Sequence, residues 1–310
     1  MLIIVHIAIA AHLAHWWIAG RTLSPLEPSE SMETLRTGLV NAGAIFFSLS
    51  ILSTLLFGRF FCGWACHMVA LQDGCSWLLA RVGIRPKPIR TRLLIAVPFI
   101  VAFYMFFYPM VYGWFTDALS PEFADAWGRA APIDQWRVEV IKADFWGTFP
   151  GIAMGLFTLF LCGVAIVYFL GAKGFCTYGC PYGAFFAIAD RFAPGKIKVD
   201  LDACQKCGHC TAACSSNVAV HKEIQAYGKV VDRGCMKCLD CVSVCPNGAL
   251  SFGFTRPQLA SFVRASAKKP KKRYSFPLAV ELGLATLAIV IFFAWRGAYG
   301  LVPMLLSLGI

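Results

Sequence analysis

Eight cysteines of this chain fall into two runs of one spacing, Cys204, Cys207, Cys210, Cys214 and Cys235, Cys238, Cys241, Cys245-Pro246. Nothing else in the 310 residues constrains the fold as tightly. Three thiols at a repeat of three residues, followed by a fourth, form the ligand pattern of two-cluster 4Fe-4S ferredoxins, in which the fourth cysteine of each run reaches across to the other cubane. On that rule Cys204, Cys207, Cys210 and Cys245 hold the first cluster, and Cys235, Cys238, Cys241 and Cys214 the second. Four-cysteine zinc sites use two separated CxxC knuckles, which three cysteines in succession do not fit.

From 197 to 254 the sequence is a string of short turns around these cysteines. Val199, Val218, Val220, Val230, Val231 and Leu250 are expected to supply short β-ribbons and small apolar patches, giving a small α+β domain organised by its clusters. Lys206, His209 and Lys237 lie between ligands and read as solvated or potential-tuning residues. The second run ends in Cys245-Pro246 and the first in Cys214-Ser215, a change expected to alter a turn and not the ligation.

The chain is 58% apolar and 15% charged, which points to a membrane-embedded protein. Five stretches, about 1–20, 39–57, 93–115, 148–170 and 277–295, have the length and hydropathy to cross a hydrocarbon layer about 30 Å thick. The tail Leu301 to Ile310 would rise about 15 Å as a helix, half of what a span needs, and reads as either a truncated sixth helix or an interfacial piece. The expected fold is an α-helical membrane protein of five to six transmembrane helices with an inserted bacterial-type two-cluster ferredoxin domain. Its core is 1–196, the ferredoxin domain 197–254, a basic linker 255–276, and a C-terminal helix with the start of a sixth 277–310. The first stretch has no basic region ahead of it and is expected to be a span rather than a signal peptide.

Segments 58–92 and 171–276 hold 6 and 16 Lys/Arg, whereas 21–38 and 116–147 hold 2 and 3. The positive-inside rule then places the first pair, ferredoxin domain included, on the cytoplasmic side of a bacterial inner membrane, with the lipid bilayer as a partner. The net charge of +11 peaks in Arg264 to Arg273 and reads as a headgroup anchor, with a docking patch for an acidic redox partner as the alternative and no nucleic acid. In a reducing compartment the 14 cysteines are ligands before they are disulfides.

A second pair of cysteine motifs, Phe61-Cys62-Gly63-Trp64-Ala65-Cys66 and Phe175-Cys176-Thr177-Tyr178-Gly179-Cys180, aligns without gaps at an offset of 114 residues. This reads as an internal repeat. A spacing of four places both thiols on one helix face, and two such faces would present four sulfurs, the set a third cluster needs. Cys62, Cys66, Cys176 and Cys180 are therefore candidate ligands or redox thiols, against the alternative of packed thiols at helix ends. Cys62 to His67 carries one residue too many for the CxxCH of covalent haem. Cys162 is expected in a core, and Cys75 has no assigned role.

GRFFCGWACH, GFCTYGCP and the paired cysteine runs resemble the membrane polyferredoxins related to NapH, the membrane half of NosR, and CcoG. The likeness covers about 58–73 and 174–250. It implies a protein that relays electrons between a donor and a redox enzyme or metal-centre assembly. The family's membrane motifs read CxxxCP; this chain keeps Pro181 and has His67 in the other copy.

His12 and His15, three apart near the end of the first stretch, are candidate contacts for a quinone or single haem ligands. Glu281 is expected to snorkel. The 116–147 loop carries six acids against three basic residues and would dock a partner or lie on the interface. The expected function is single-electron transfer from a quinol or soluble reductant to a partner cytochrome or oxidoreductase subunit. The alternatives are a copper reductase acting in assembly of a respiratory enzyme and a redox-sensing regulator.

Overall fold

The computed structural model describes residues 2–84, 86, 88–108, 111, 133–143, 152–257 and 274–307. Helix α1 (Leu2–Ala19) leads into strand β1 (Thr22–Leu23), α2 (Ser31–Thr37), β2 (Leu39–Val40), α3 (Ala42–Phe57), the short α4 (Phe60–Trp64), α5 (His67–Arg81) and α6 (Val97–Phe106). Strands β3 (Arg137–Val138) and β4 (Ile141–Lys142) return to pair with β2 in parallel and with β1 antiparallel. Helices α7 (Ile152–Thr158) and α8 (Ile166–Leu170) flank a π-helical segment, Leu159–Ala165, and are followed by α9 (Gly174–Tyr178) and α10 (Pro181–Phe192). Then come β5 (Gly195–Val199), α11 (His209–Ala212), α12 (Val220–Tyr227), α13 (Asp240–Ser243), β6 (Leu250–Phe254) and α14 (Leu278–Ser307).

The expectation of a multi-span membrane fold is corrected by this structure: among the described residues no helix is long and apolar enough to cross a membrane. Hydropathy counts apolar residues in a row, whereas a span needs them wound into one unbroken helix. The stretch 39–57 begins as β2, and α3 then runs 16 residues, about 24 Å. It stops at Gly58, whose φ of 75° resists an L side chain. In 93–115 a 3-10 turn, Leu94–Ala96, precedes the 10 residues of α6, and 112–115 lie outside the described residues. In 148–170 the winding passes from α to π and back, leaving α-helical pieces of 7 and 5 residues. Helix α1 has 18 residues and carries His6, His12 and His15. Helix α14, with Glu281 in its first turn, continues through Leu301, so no separate sixth helix starts there. The basic run Arg264 to Arg273 lies outside the described residues.

Phe47 of α3 is the hub of the helical core. Its ring stands edge-on to Tyr182, Phe185 and Phe186 of α10, with centroids 5.9, 5.8 and 5.7 Å away, the arrangement aromatic quadrupoles favour. Phe106 of α6 closes the group at 6.0 Å. In the cysteine-rich unit, β5 and β6 pair antiparallel from Gly195↔Phe254 to Val199↔Leu250, tying its two ends together. Between them Ile197, Val218, Val220, Ile224, Val230 and Leu250 are buried around the cysteines.

The helical part and the cysteine-rich unit meet on one carboxylate. Asp190, near the end of α10, accepts from Lys237 Nζ at 2.6 Å, Lys196 Nζ at 2.9 Å and the backbone N–H of Arg59 at 3.1 Å. Burial opposes its ionisation, but the two ammonium groups outweigh that and hold its pKa below the usual carboxylate value. Gly58 is required beside it, because a Cβ there would lie 2.6 Å from Asp190 Oδ1 and 2.8 Å from Lys237 Cε.

Asp190→Asn should therefore cost about 3–5 kcal/mol, since it leaves two buried lysines without their counter-charge. The folded pKa is the lower one, so this stabilisation is complete above the unfolded carboxylate value near 3.8 and is lost as pH falls through the folded value. Denaturation midpoints of parent and variant should differ fully at neutral pH and converge in acid.

Candidate iron-sulfur sites

Both cysteine runs are bent the same way. Lys206 and Lys237, just before the second cysteine, lie at φ 58° and 50°, and Gly208 and Leu239, just after it, at 82° and 68°. Asn217 and Gly248, three residues past the fourth cysteine, lie at 57° and 61°. For residues with a side chain this conformation costs about 1–2 kcal/mol, a strain retained where the surroundings fix it. Alternating left-handed residues also turn successive peptide N–H groups inward, forming the concave nest that anionic and iron-sulfur groups occupy.

Cys204, Cys207, Cys210 and Cys245 line one cavity. Cys207 is its exposed member. In the second set, burial and the neighbouring Cys235, Cys214 and Cys238 push the Cys241 thiol well up, so these four sulfurs also sit together. Burial raises Cys214 to about 12 against the N–H groups of Val218 and Ser216, the former donating to its sulfur at 3.4 Å. Among the described residues no three His, Cys, Asp or Glu groups close tightly enough on a single metal ion. Thiols grouped around a cavity, with N–H groups aimed at sulfur, suit the larger body of a cubane, which would supply a one-electron redox centre.

The CxxxC repeat is equally regular. Cys62 and Cys176 occupy the third position of the five-residue helices α4 and α9, and Cys66 and Cys180 are the N-cap residues of α5 and α10. Cys180 Sγ accepts from the Gly183 N–H at 3.4 Å. The four thiols converge: Cys176 is pushed up by burial, then by Cys66, Cys180 and Cys62, while burial and these neighbours carry Cys66 and Cys180 to about 12. Any metal group bound here must displace those protons. Arg59, 2% exposed, spans the site with Nη2 3.9 Å from Cys62 Sγ and 3.1 Å from the Cys176 carbonyl, and Nη1 on the Arg233 carbonyl at 2.8 Å.

Other expected site residues have structural roles. His12 Nε2 lies 3.0 Å from the Leu23 carbonyl and His15 Nδ1 3.0 Å from Thr22 Oγ1, so both rings hold β1 against α1. Glu281 does not snorkel; it accepts from the Arg92 N–H at 2.8 Å and Arg92 Nε at 3.3 Å. Cys162 is buried, and Cys75 Sγ lies where a Cβ on Gly163 would stand. Sequence reasoning missed Arg59, Asp190 and Lys173, although Arg59 and Lys173 precede the two short helices at the same offset as the cysteines.

A family model described as a 4Fe-4S binding domain matches residues 41–85 and 152–200, the two halves of the repeat. One described as a 4Fe-4S dicluster domain matches 196–246. Its homologues are 4Fe-4S ferredoxin-type proteins. YccM of Escherichia coli, named for electron transport, is 26% identical over 73% of this chain and 60% of its own length. NapH of Escherichia coli, a ferredoxin-type protein, is 24% identical over 72% of the chain and 73% of its own. MauN of Methylorubrum extorquens, a methylamine utilization ferredoxin-type protein, is 22% identical over 66% and 65%. No solved structure matches the chain. The two family models and these relatives support iron-sulfur clusters and an electron-transfer role for this chain.

Lys206 and Lys237 share a backbone conformation and differ in surroundings, which gives a direct comparison. Lys206→Gly should leave the unfolding free energy within about 1 kcal/mol of the parent, relieved strain offsetting the entropy of glycine. Lys237→Gly should lose about 3–5 kcal/mol by removing one of the two ammonium groups that hold the buried Asp190 charge. Equal effects in chemical denaturation would contradict the assigned roles.

Proposed function

We propose that the chain relays single electrons from the exposed edge of its first ferredoxin site, through the second, to a third iron-sulfur site formed by Cys62, Cys66, Cys176 and Cys180, and on to a partner oxidoreductase. The observation that carries this reading is the seam between the first CxxxC motif and the second cysteine run. Trp64 Nε1 donates to the Lys237 carbonyl at 2.9 Å. A Cβ on Gly63 would strike the Met236 carbonyl and come within 3.3 Å of the Cys238 backbone. Only glycine lets the two ligand loops approach this closely.

The clusters, when bound, supply the one-electron chemistry, and the chain supplies position and dielectric. Cys207 is exposed, which offers an outside donor a short approach to the first ligand set. Cys62 and Cys176 lie at 6% and 5% exposure within the Phe47 core, where water is excluded from the inner site. With His12 and His15 committed to β1, the exposed Cys207 edge favours a soluble one-electron donor over a quinol at those histidines.

Gly63→Val tests the seam. Both proteins are mixed with a reduced viologen and followed by rapid-freeze EPR. In the parent the third-site signal should grow together with the ferredoxin signals; in the variant it should lag by about tenfold or more at unchanged iron content. Identical time courses would contradict the relay.

A further inference from the structure

Two of the seven positions that differ between the runs act on a single sulfur. Ser215 and Asp240 of this chain correspond, 31 residues apart, to Pro246 and His209 beside the other cluster site. The Ser215 hydroxyl lies 3.8 Å from Cys238 Sγ and donates to Asp240 Oδ2 at 2.7 Å, and that same oxygen is 3.1 Å from Cys238 Sγ. Lys173, 3% exposed, reaches in from the segment before α9 with its Nζ 3.8 Å from Asp240 Oδ2. It stands at the repeat position of Arg59, so each copy of the repeat buries one cation: Arg59 at the CxxxC thiols and Lys173 at the ferredoxin thiol Cys238.

A thiolate bound to iron has no proton to give Asp240. The Ser215 hydroxyl, with its one proton on Asp240, and the Lys173 cation then both offset the carboxylate charge held beside that sulfur. Reduction adds negative charge to a cluster, so groups that offset a neighbouring carboxylate favour the reduced form and raise its potential.

Building on the cluster reading above, we infer that Lys173 and Ser215 are positioning residues that raise the reduction potential of the second ferredoxin cluster against the Asp240 carboxylate beside its Cys238 sulfur, and so favour electron flow inward, towards the CxxxC site. A proline at 215 would carry no hydroxyl, so the departure from Cys-Pro in the first run has a redox consequence as well as a conformational one.

The test is an EPR-monitored redox titration of the reconstituted full chain and of Lys173→Gln, Lys173→Arg and Ser215→Ala, with iron content measured on each. The parent should show two separated ferredoxin potentials. Lys173→Gln should lower one of them so that its reduced-to-oxidised ratio at fixed poise falls about tenfold, about 59 mV for one electron, and leave the other in place. Ser215→Ala should move the same centre in the same direction by less, and Lys173→Arg should restore it. Unchanged potentials, or an equal shift of both centres, would overturn the inference. Failure of the parent to bind iron would instead sink the cluster reading itself. Loss of iron confined to Lys173→Gln passes the decision to Ser215→Ala, whose unchanged potential would overturn the inference on its own.

Discussion

The buried carboxylate of Asp190 is the point on which the rest of the structure depends. It ends α10 of the helical repeat, and through it the Arg59 backbone, Lys196 of β5 and Lys237 of the second cysteine run are held in one ion-paired cluster. Arg59 and Lys237 each sit within three positions of a thiol. A buried charge is costly unless paired, so the two halves of the molecule cannot shift relative to one another without stranding at least one lysine. Gly58 and Gly63 complete the constraint by letting backbone approach where any side chain would collide.

That rigidity matters because electron transfer depends on distance. A ferredoxin unit tethered by a flexible link would meet the CxxxC thiols in many geometries. Here the Trp64 indole is bonded to the peptide of Lys237, and the thiols of the repeat sit beneath the aromatic core around Phe47. The repeat also explains its own economy of sequence. Each copy places a cation, a short helix bearing one cysteine and a second cysteine at the head of the next helix, with the short helices and the starts of the next helices 114 residues apart.

The cysteine chemistry was legible from spacing because ligand geometry is local: three thiols at intervals of three residues bend the backbone in a way that leaves few alternatives. The gapless offset between Cys62–Cys66 and Cys176–Cys180 likewise announced two equivalent elements. What spacing could not reveal is which buried charges face them. Arg59, Lys173 and Asp190 look like ordinary polar residues at helix ends until the fold brings together segments 47 to 174 residues apart. Hydropathy misled for a different reason. Apolar runs such as 39–57 and 148–170 have the hydropathy of single helices, but Gly58, the β2 strand and the π-helical Leu159–Ala165 break them, and of their side chains Phe46, Phe47 and Ile51 of α3 go into the core with α6 and α10. His12 and His15 drew attention as ionisable residues in an apolar stretch, and they serve β1 instead.

The most direct measurement is the iron and acid-labile sulfide content per chain, with EPR of the reduced protein, for the parent and a Cys62→Ser/Cys176→Ser variant. Three cubanes require about twelve iron atoms in the parent and about eight in the variant, with loss of one EPR component while the two ferredoxin signals persist. A parent with about eight iron atoms, unchanged by the double substitution, would contradict a third site in the repeat.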